Sequence, residues 1–293
     1  MTGSDPDAVS GVRSRGGGVT APAGRVPRPD RFVWPAQARV TLYDVCIGLR
    51  VANPDHLALL LAHMPHGAEP APAQLVDRMY SVRMNRGRPI YHLFAGSRRT
   101  AQRFDDLERL ARAFAADARH FVALRAKQRV FIHAGVVAVG DQAILIPGRT
   151  LTGKTTLVAE LLRSGATYYS DEYAVLDGAG WVHPFAKALS IRTTGDQPQT
   201  LVDVATLGAP SGTVPLRVGA VLSTRYVSGA RWRPEPLSAG HAALCLLDNA
   251  VAARSRFAEV CRAISAALDR RMRAWHGTRG EARQVARWML AQR

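Results

Sequence analysis

Apolar positions fall in short runs, and their spacing changes along the chain. Residues 1 to 35 hold few large apolar side chains among many Gly, Pro, Ser and Arg, which predicts a disordered tail. From Val40 to Val51, β-branched residues with partial alternation predict a strand. Pro54 to Met64 has the spacing of a short helix, and His66 to Pro72 reads as a Pro/Gly loop. Met79 to Met84 and Ile90 to Phe94 predict a hairpin around Asn85-Arg86-Gly87. Between Asp105 and Ala126, the residues Leu107, Leu110, Ala111, Phe114, Ala118, Phe121 and Leu124 recur at helical period and predict a helix. Residues 36–127 therefore read as a small N-terminal α+β region.

Beyond it the pattern becomes one of strands alternating with helices, and residues 128–293 read as a second, α/β domain. Strands are predicted near Val130 to Ile132 and Val136 to Val139, with a turn at Gly140-Asp141. Ala143 to Ile146 is a short buried-strand run, and Thr156 to Leu162 carries helical spacing. Tyr173 to Leu176 is another strand; Asp177 to Gly180 is a turn, from which Trp181 to His183 returns. Ala186 to Arg192 and Val218 to Leu222 read as further strands, Gly195 to Gly212 as a mobile polar loop, and His241 onward as mostly helical.

Between the run at 143–146 and the helix at 156–162 stands Gly148-Arg149-Thr150-Leu151-Thr152-Gly153-Lys154-Thr155. This is G-x-x-x-x-G-K-T, a phosphate-binding loop set between strand and helix, as the motif requires. The two glycines permit backbone conformations that side chains block. Loop N–H groups and the helix dipole then favour an anion. Lys154 can reach the outer phosphates, Thr155 can offer its hydroxyl to Mg²⁺, and Thr156 begins the helix that completes the nucleotide contact.

Composition adds bounds. The chain has 293 residues, of which 47% are hydrophobic, enough for a sizeable core. No apolar run is long enough to span a bilayer, and the N-terminus has no apolar signal-peptide segment. The three cysteines, Cys46, Cys245 and Cys261, show neither metal-site spacing nor a disulfide framework, which fits a reducing cytoplasm. The formal net charge is +16, with Lys127, Lys154 and Lys187 the only lysines among 39 Lys and Arg residues. Arginines scattered over an Ala-rich chain read as genomic bias with solvated basic faces. No arginine run is interleaved with aromatics, which disfavours nucleic acid as a partner. A homo-oligomer is compatible with the sequence.

Asp171 and Glu172 follow the loop helix, at the edge of the next strand. If that strand lies beside the loop strand, the pair faces the outer phosphates. One carboxylate can then take the proton of an attacking hydroxyl and the other can hold Mg²⁺. The competing reading is a turn pair at a strand end. His133 ends its strand among apolar neighbours and by position alone reads more readily as a core histidine. Lys187 and Arg192 are either cationic contacts to a phosphate or carboxylate, or solvated basic residues.

Together these motifs resemble the HPr kinase/phosphorylase superfamily, which includes the ATP-type phosphoenolpyruvate carboxykinases. The resemblance is carried by Ile132-His133-Ala134-Gly135-Val136-Val137, by Gly148 to Thr155, and by Tyr169-Ser170-Asp171-Glu172. The stretch Trp181 to Arg192 is similar to a segment of the shorter HPr-kinase-like proteins, several of which serve modified-peptide pathways, including the lasso-peptide kinases. The resemblance covers about residues 130–195. It implies an HPr-kinase-type P-loop core in 128–293 and ATP-dependent phosphorylation of a serine hydroxyl. By it Asp171 matches the catalytic base, Glu172 a second acidic position and His133 the histidine near the γ-phosphate; with the loop motif, Lys154 is expected on the phosphates and Thr155 and Glu172 at Mg²⁺. Lys187 and Arg192 are then expected to flank the acceptor or the transferred phosphoryl group. The expected acceptor is a serine of a peptide or small protein; the alternatives are free serine, or a regulatory module that binds nucleotide without transfer.

Overall fold

The computed structural model describes residues 32–65, 67–72, 76–85, 89–96, 101–148, 152–191 and 200–292. The expected tail therefore lies almost wholly outside the described residues, as do Arg86 and Gly87 of the predicted hairpin turn and residues 195–199 of the loop predicted from Gly195.

The first part of the chain forms a six-stranded sheet backed by two helices. Its elements are β1 (Ala36–Leu42), β2 (Val45–Val51), α1 (Asp55–Ala62), β3 (Glu69–Pro70), β4 (Arg78–Met84), β5 (Tyr91–Ala95), β6 (Gln102–Phe104) and α2 (Leu107–Arg125). The strand order is β3-β1-β2-β4-β5-β6. The single strand expected over Val40 to Val51 is instead the hairpin β1–β2. It turns at Tyr43 and Asp44, which take φ of 48° and 64°. A tyrosine in the left-handed region is strained. Its ring explains why it stays there: it packs edge-on to Phe131 at 5.5 Å and stacks on Phe185 at 6.2 Å. The Tyr43 hydroxyl donates to the Pro184 carbonyl.

Helix α2 forms because its apolar positions make one stripe and its first turn is capped. Leu110, Ala111, Phe114, Ala118 and Val122 are all fully buried. The Asp106 carboxylate accepts from the Glu108 and Arg109 N–H groups at 3.1 and 3.2 Å.

The second part is built on an eight-stranded mixed sheet. Its elements are β7 (Val130–Val139), β8 (Gln142–Pro147), α3 (Lys154–Arg163), β9 (Thr167–Ser170), β10 (Tyr173–Leu176), β11 (Trp181–His183), β12 (Leu189–Ile191), β13 (Thr200–Val202), β14 (Leu216–Tyr226), β15 (Glu235–Pro236), α4 (Ala239–Leu247), α5 (Phe257–Ala267), β16 (Arg273–Arg279) and α6 (Ala282–Leu290). The order is β11-β10-β7-β8-β14-β16-β15, with β9 also on β7, and the sheet curls until β11 meets β14. β12 and β13 form a separate two-stranded ladder. Strands β8, β14 and β16 are parallel, so their carboxyl ends share one edge. Helices α3 and α6 cover one face of the sheet, and α4 and α5 the other.

Several expectations change here. The strands predicted at 130–132 and 136–139 are one ten-residue strand, β7, so His133 lies inside a strand rather than at its end. The Ala186 to Arg192 strand shortens to Leu189–Ile191, and Arg192 lies outside the described residues. The mostly helical C-terminus contains β16 in the sheet interior, between β14 and β15. Part of the predicted loop is ordered as β13 and the 3₁₀ turn Val204–Leu207. The architecture is mixed α/β, as expected. One buried cluster joins its two parts: Leu49, Tyr80 and Phe114 pack with Phe131, Tyr173 and Phe185.

Candidate active site at the carboxyl ends of the parallel strands

The phosphate-loop motif falls where β8 ends at Pro147 and α3 begins at Lys154. Arg149, Thr150 and Leu151 lie outside the described residues; Gly148, Thr152 and Gly153 bracket them. Gly153 takes φ of 79°, a left-handed conformation that glycine adopts without strain, and its carbonyl accepts the first helical bond from Leu157 N–H at 3.1 Å. Thr156 is exposed on the first turn of α3. Close packing sets the helix: a Cβ on Gly135 of β7 would sit 2.6 Å from Val158 Cγ2.

Lys154 folds back over the loop, and its Nζ donates to the Gly148 carbonyl at 2.6 Å. Burial pulls its pKa below the ordinary lysine value, with Asp171 opposing. The loop strand and the strand ahead of the acidic pair are not neighbours, contrary to expectation: β7 stands between β8 and both β9 and β10. Asp171 nonetheless reaches α3. Its Oδ2 accepts from the Thr155 hydroxyl at 3.4 Å, a long bond.

Asp171 is a buried carboxylate with several donors around it. Lys187 Nζ lies 2.8 Å from Oδ1, and the Tyr168 hydroxyl lies 3.0 Å from the same oxygen. Tyr168 has one proton for two acceptors, since the Lys187 carbonyl is also 3.0 Å away. Burial pushes the Tyr168 phenol well above its usual range, and the charge and hydrogen bond of Asp171 add to that. Tyr168 thus stays a neutral donor.

Glu172 is held by cations from two elements. Arg119 Nε of α2 lies 2.8 Å from Glu172 Oε2, and Lys187 Nζ lies 3.8 Å from it. The Arg119 contact is an ion pair rather than an aligned hydrogen bond. His133 tilts against Tyr173 with ring centroids 4.8 Å apart. Burial pushes its imidazole below the ordinary range; Glu172 opposes this, and Lys154 and His120 add to it. The His133 carbonyl accepts from Gly148 N–H at 3.2 Å, so its backbone also supports the loop.

The donor set suits a hard cation bound with phosphates. Thr155 Oγ1 and Asp171 Oδ2 are adjacent oxygens, and Mg²⁺ takes one or two protein oxygens beside the phosphates it bridges. Glu172 is drawn instead toward Arg119 and Lys187. No cluster of three His, Cys, Asp or Glu side chains stands among the described residues as a metal site of its own.

The structure therefore brings Lys154, Thr155, Asp171, Glu172, Lys187 and His133 to one edge of the sheet. Three partners there were not foreseen. Arg119 comes from the N-terminal part, Tyr168 from β9, and Arg279 from the end of β16. Arg279 is 2% exposed, and its Nη2 donates to the Gly153 carbonyl at 2.8 Å. One concavity lies away from this edge, at the opposite end of the strands, between Gln142, Gly219, Arg273 and Trp275; a larger one lies between α3 and α6, lined by Thr156, Glu160, Arg163, Glu281 and Arg287.

No protein-family model matches the sequence, and no curated protein matches it. Among solved structures, the chain is similar to the Hpr(Ser) kinase/phosphatase from Coxiella burnetii, at 13% identity and a TM-score of 0.27. The match covers 55% of this chain and 93% of that one. No helix among the described residues is long and apolar enough to cross a membrane.

Proposed function

We propose that this chain is an ATP-dependent phosphotransferase that phosphorylates a serine hydroxyl of a short peptide or small protein. The observation that carries the reading is the meeting of Lys154 and Thr155 at a strand-to-helix glycine loop with the buried carboxylate of Asp171. Gly153 and the start of α3 offer N–H groups to phosphates. Lys154 exchanges the Gly148 carbonyl for the outer phosphates. Asp171 receives the proton of the acceptor hydroxyl as its oxygen bonds to the γ-phosphorus and the bond to the ADP oxygen breaks. Mg²⁺ held by Thr155 and Asp171 would neutralise phosphate charge. Lys187 and Tyr168 fix Asp171 Oδ1, which leaves Oδ2 facing Thr155. His133 lines the same edge.

The peptide acceptor rests on the resemblance of residues 181–192 to the peptide-serine kinases, lasso-peptide kinases among them, and on a basic chain suited to an anionic product. Arg192 would flank that acceptor. The lone alternative with an observation behind it is a nucleotide-binding regulatory module, favoured by the close pairing of Lys187 with Asp171.

The test offers ATP and Mg²⁺ with a serine-containing precursor peptide, and separately with free L-serine, read by mass. A gain of one phosphate on the peptide is expected, and its loss in Lys154→Ala. A gain on free serine alone replaces the peptide with a metabolite. ATP binding without transfer to either would turn the assignment to the regulatory module.

A further inference from the structure

Arg279 is one of the largest fully buried side chains in the protein, and among the described residues no carboxylate lies within 4.0 Å of it. Its partners among the described residues are neutral. Nη2 donates to the Gly153 carbonyl at 2.8 Å, Nη1 to the Gly280 carbonyl at 3.2 Å, and Nε to Thr224 Oγ1 at 3.3 Å. The guanidinium also lies over the Tyr226 ring, 5.5 Å from its centroid. Burial draws its pKa down, with Tyr226 and Glu281 opposing. An arginine stays charged in such surroundings. Each of its three nitrogens makes a hydrogen bond, but no anion touches its charge among the described residues.

The position of that charge is specific. Strands β8, β14 and β16 run parallel, and Arg279 ends β16 where β8 delivers the loop. Ligands of open α/β sheets bind outside these carboxyl ends. The contact falls on Gly153, the left-handed residue that begins α3. A Cβ there would lie 2.4 Å from Arg279 Nη2, so the loop and the guanidinium are in close register. A trans peptide sets its carbonyl and N–H in opposite directions. Anchoring the Gly153 carbonyl therefore aims the Lys154 N–H out of the helix start, toward where phosphate would sit.

We propose that Arg279 is a positioning residue of the nucleotide site: it fixes the Gly153–Lys154 peptide, and the phosphates of a bound nucleoside di- or triphosphate neutralise its unmatched charge. This rests on reading Gly148 to Thr155 as a phosphate loop. A buried cation with no anion in contact is costly, so a phosphate ligand across the Gly153–Lys154 peptide from it is favoured beyond the loop's own contacts.

The experiment measures ATP, ADP and adenosine affinities by titration calorimetry for the parent, Lys154→Ala, Arg279→Gln and Arg279→Lys. Arg279→Gln is expected to lose about 10-fold or more in ATP and ADP affinity, as for a lost charge-assisted contact, while adenosine binds as before. Arg279→Lys keeps the charge but not the fork and should fall between. A purely structural arginine would instead weaken all three ligands alike and lower the melting temperature without nucleotide. Parent-like ATP affinity in both Arg279 variants, with Lys154→Ala impaired, overturns this inference alone. If the parent binds no ATP, the loop reading and this inference fall together. Should Arg279→Gln not fold, the ratio of ATP to adenosine affinity in Arg279→Lys decides: a fall supports the role, and an unchanged ratio ends it.

Discussion

Lys187 Nζ stands 2.8 Å from Asp171 Oδ1, with the two side chains 12% and 3% exposed. A pair this buried fixes the carboxylate in place, and removing one partner strands the other charge. Lys187→Met is expected to cost about 3 kcal/mol of stability, read by denaturant unfolding. It should also lower turnover far more than ATP affinity, because Asp171 loses its anchor while the loop is untouched. Equal loss of ATP binding and turnover would make Lys187 a phosphate contact instead.

Asp171→Asn keeps shape and hydrogen-bonding capacity but removes the base. Turnover should fall by ~10²-fold or more with ATP binding preserved, the usual worth of general base catalysis. Calorimetry beside single-turnover kinetics separates the two. A parallel collapse of binding would leave Asp171 a holder of Mg²⁺ or of the fold and remove it as the base.

Gly153→Ala meets two obstacles at once. The residue has φ of 79°, and the added methyl would lie 2.4 Å from Arg279 Nη2. The left-handed backbone alone costs a non-glycine residue roughly 1–2 kcal/mol. The variant should melt earlier and bind ATP weakly. Gly140→Ala is the control: its φ is 63° but its Cβ would touch nothing within 4 Å. It should show the backbone cost without the loss of ATP.

The turn after β10 gives a pH-dependent prediction. Asp177 accepts from His183 Nε2 at 2.9 Å and from the Ala179 and Trp181 N–H groups at 2.9 and 3.0 Å. Burial works against its charge, but these donors outweigh it and hold the carboxyl below its ordinary 3.8. A depressed carboxyl stabilises above its unfolded pKa and loses that contribution as pH falls through the folded value. The parent should lose stability as pH drops below about 4, and Asp177→Asn should show a flatter profile there. Identical melting profiles between pH 3 and 6 would contradict it.

Local signals carried much of this into the sequence. The glycine loop is contiguous and flanked by a strand and a helix, so Lys154 and Thr155 could be read directly. Asp171 and Lys187 also stood out as charges amid apolar runs, although their mutual contact depends on tertiary folding. Arg279 gave no such signal. It is one arginine among many in an Arg-rich tail, and Arg-Ala-Trp-His-Gly-Thr-Arg lacks the apolar alternation of a strand. Only pairing between β14, which is parallel to it, and β15, which is antiparallel, made β16 a strand, and only its register placed Arg279 beside Gly153. The Tyr43-Asp44 turn was hidden for a related reason: its left-handed residues are not glycine, and distant aromatic rings hold them. Arg119 came from a helix that periodicity had placed, but its partner Glu172 lies across the junction between the two sheets.

The Tyr43 turn also bears on how the molecule can move. Its ring is wedged beside Phe131 and Phe185, and its hydroxyl grips Pro184, three residues ahead of Lys187. A hinge between the two sheets would have to tear this wedge out. Swinging the β1–β2 hairpin would drag the backbone that presents Lys187, and through it the carboxylate of Asp171. The N-terminal sheet therefore works as a brace for the edge that carries Asp171 and Lys187 rather than as a separately mobile lid. Calorimetric melting of the whole chain should show one cooperative transition, with no earlier step for the first sheet.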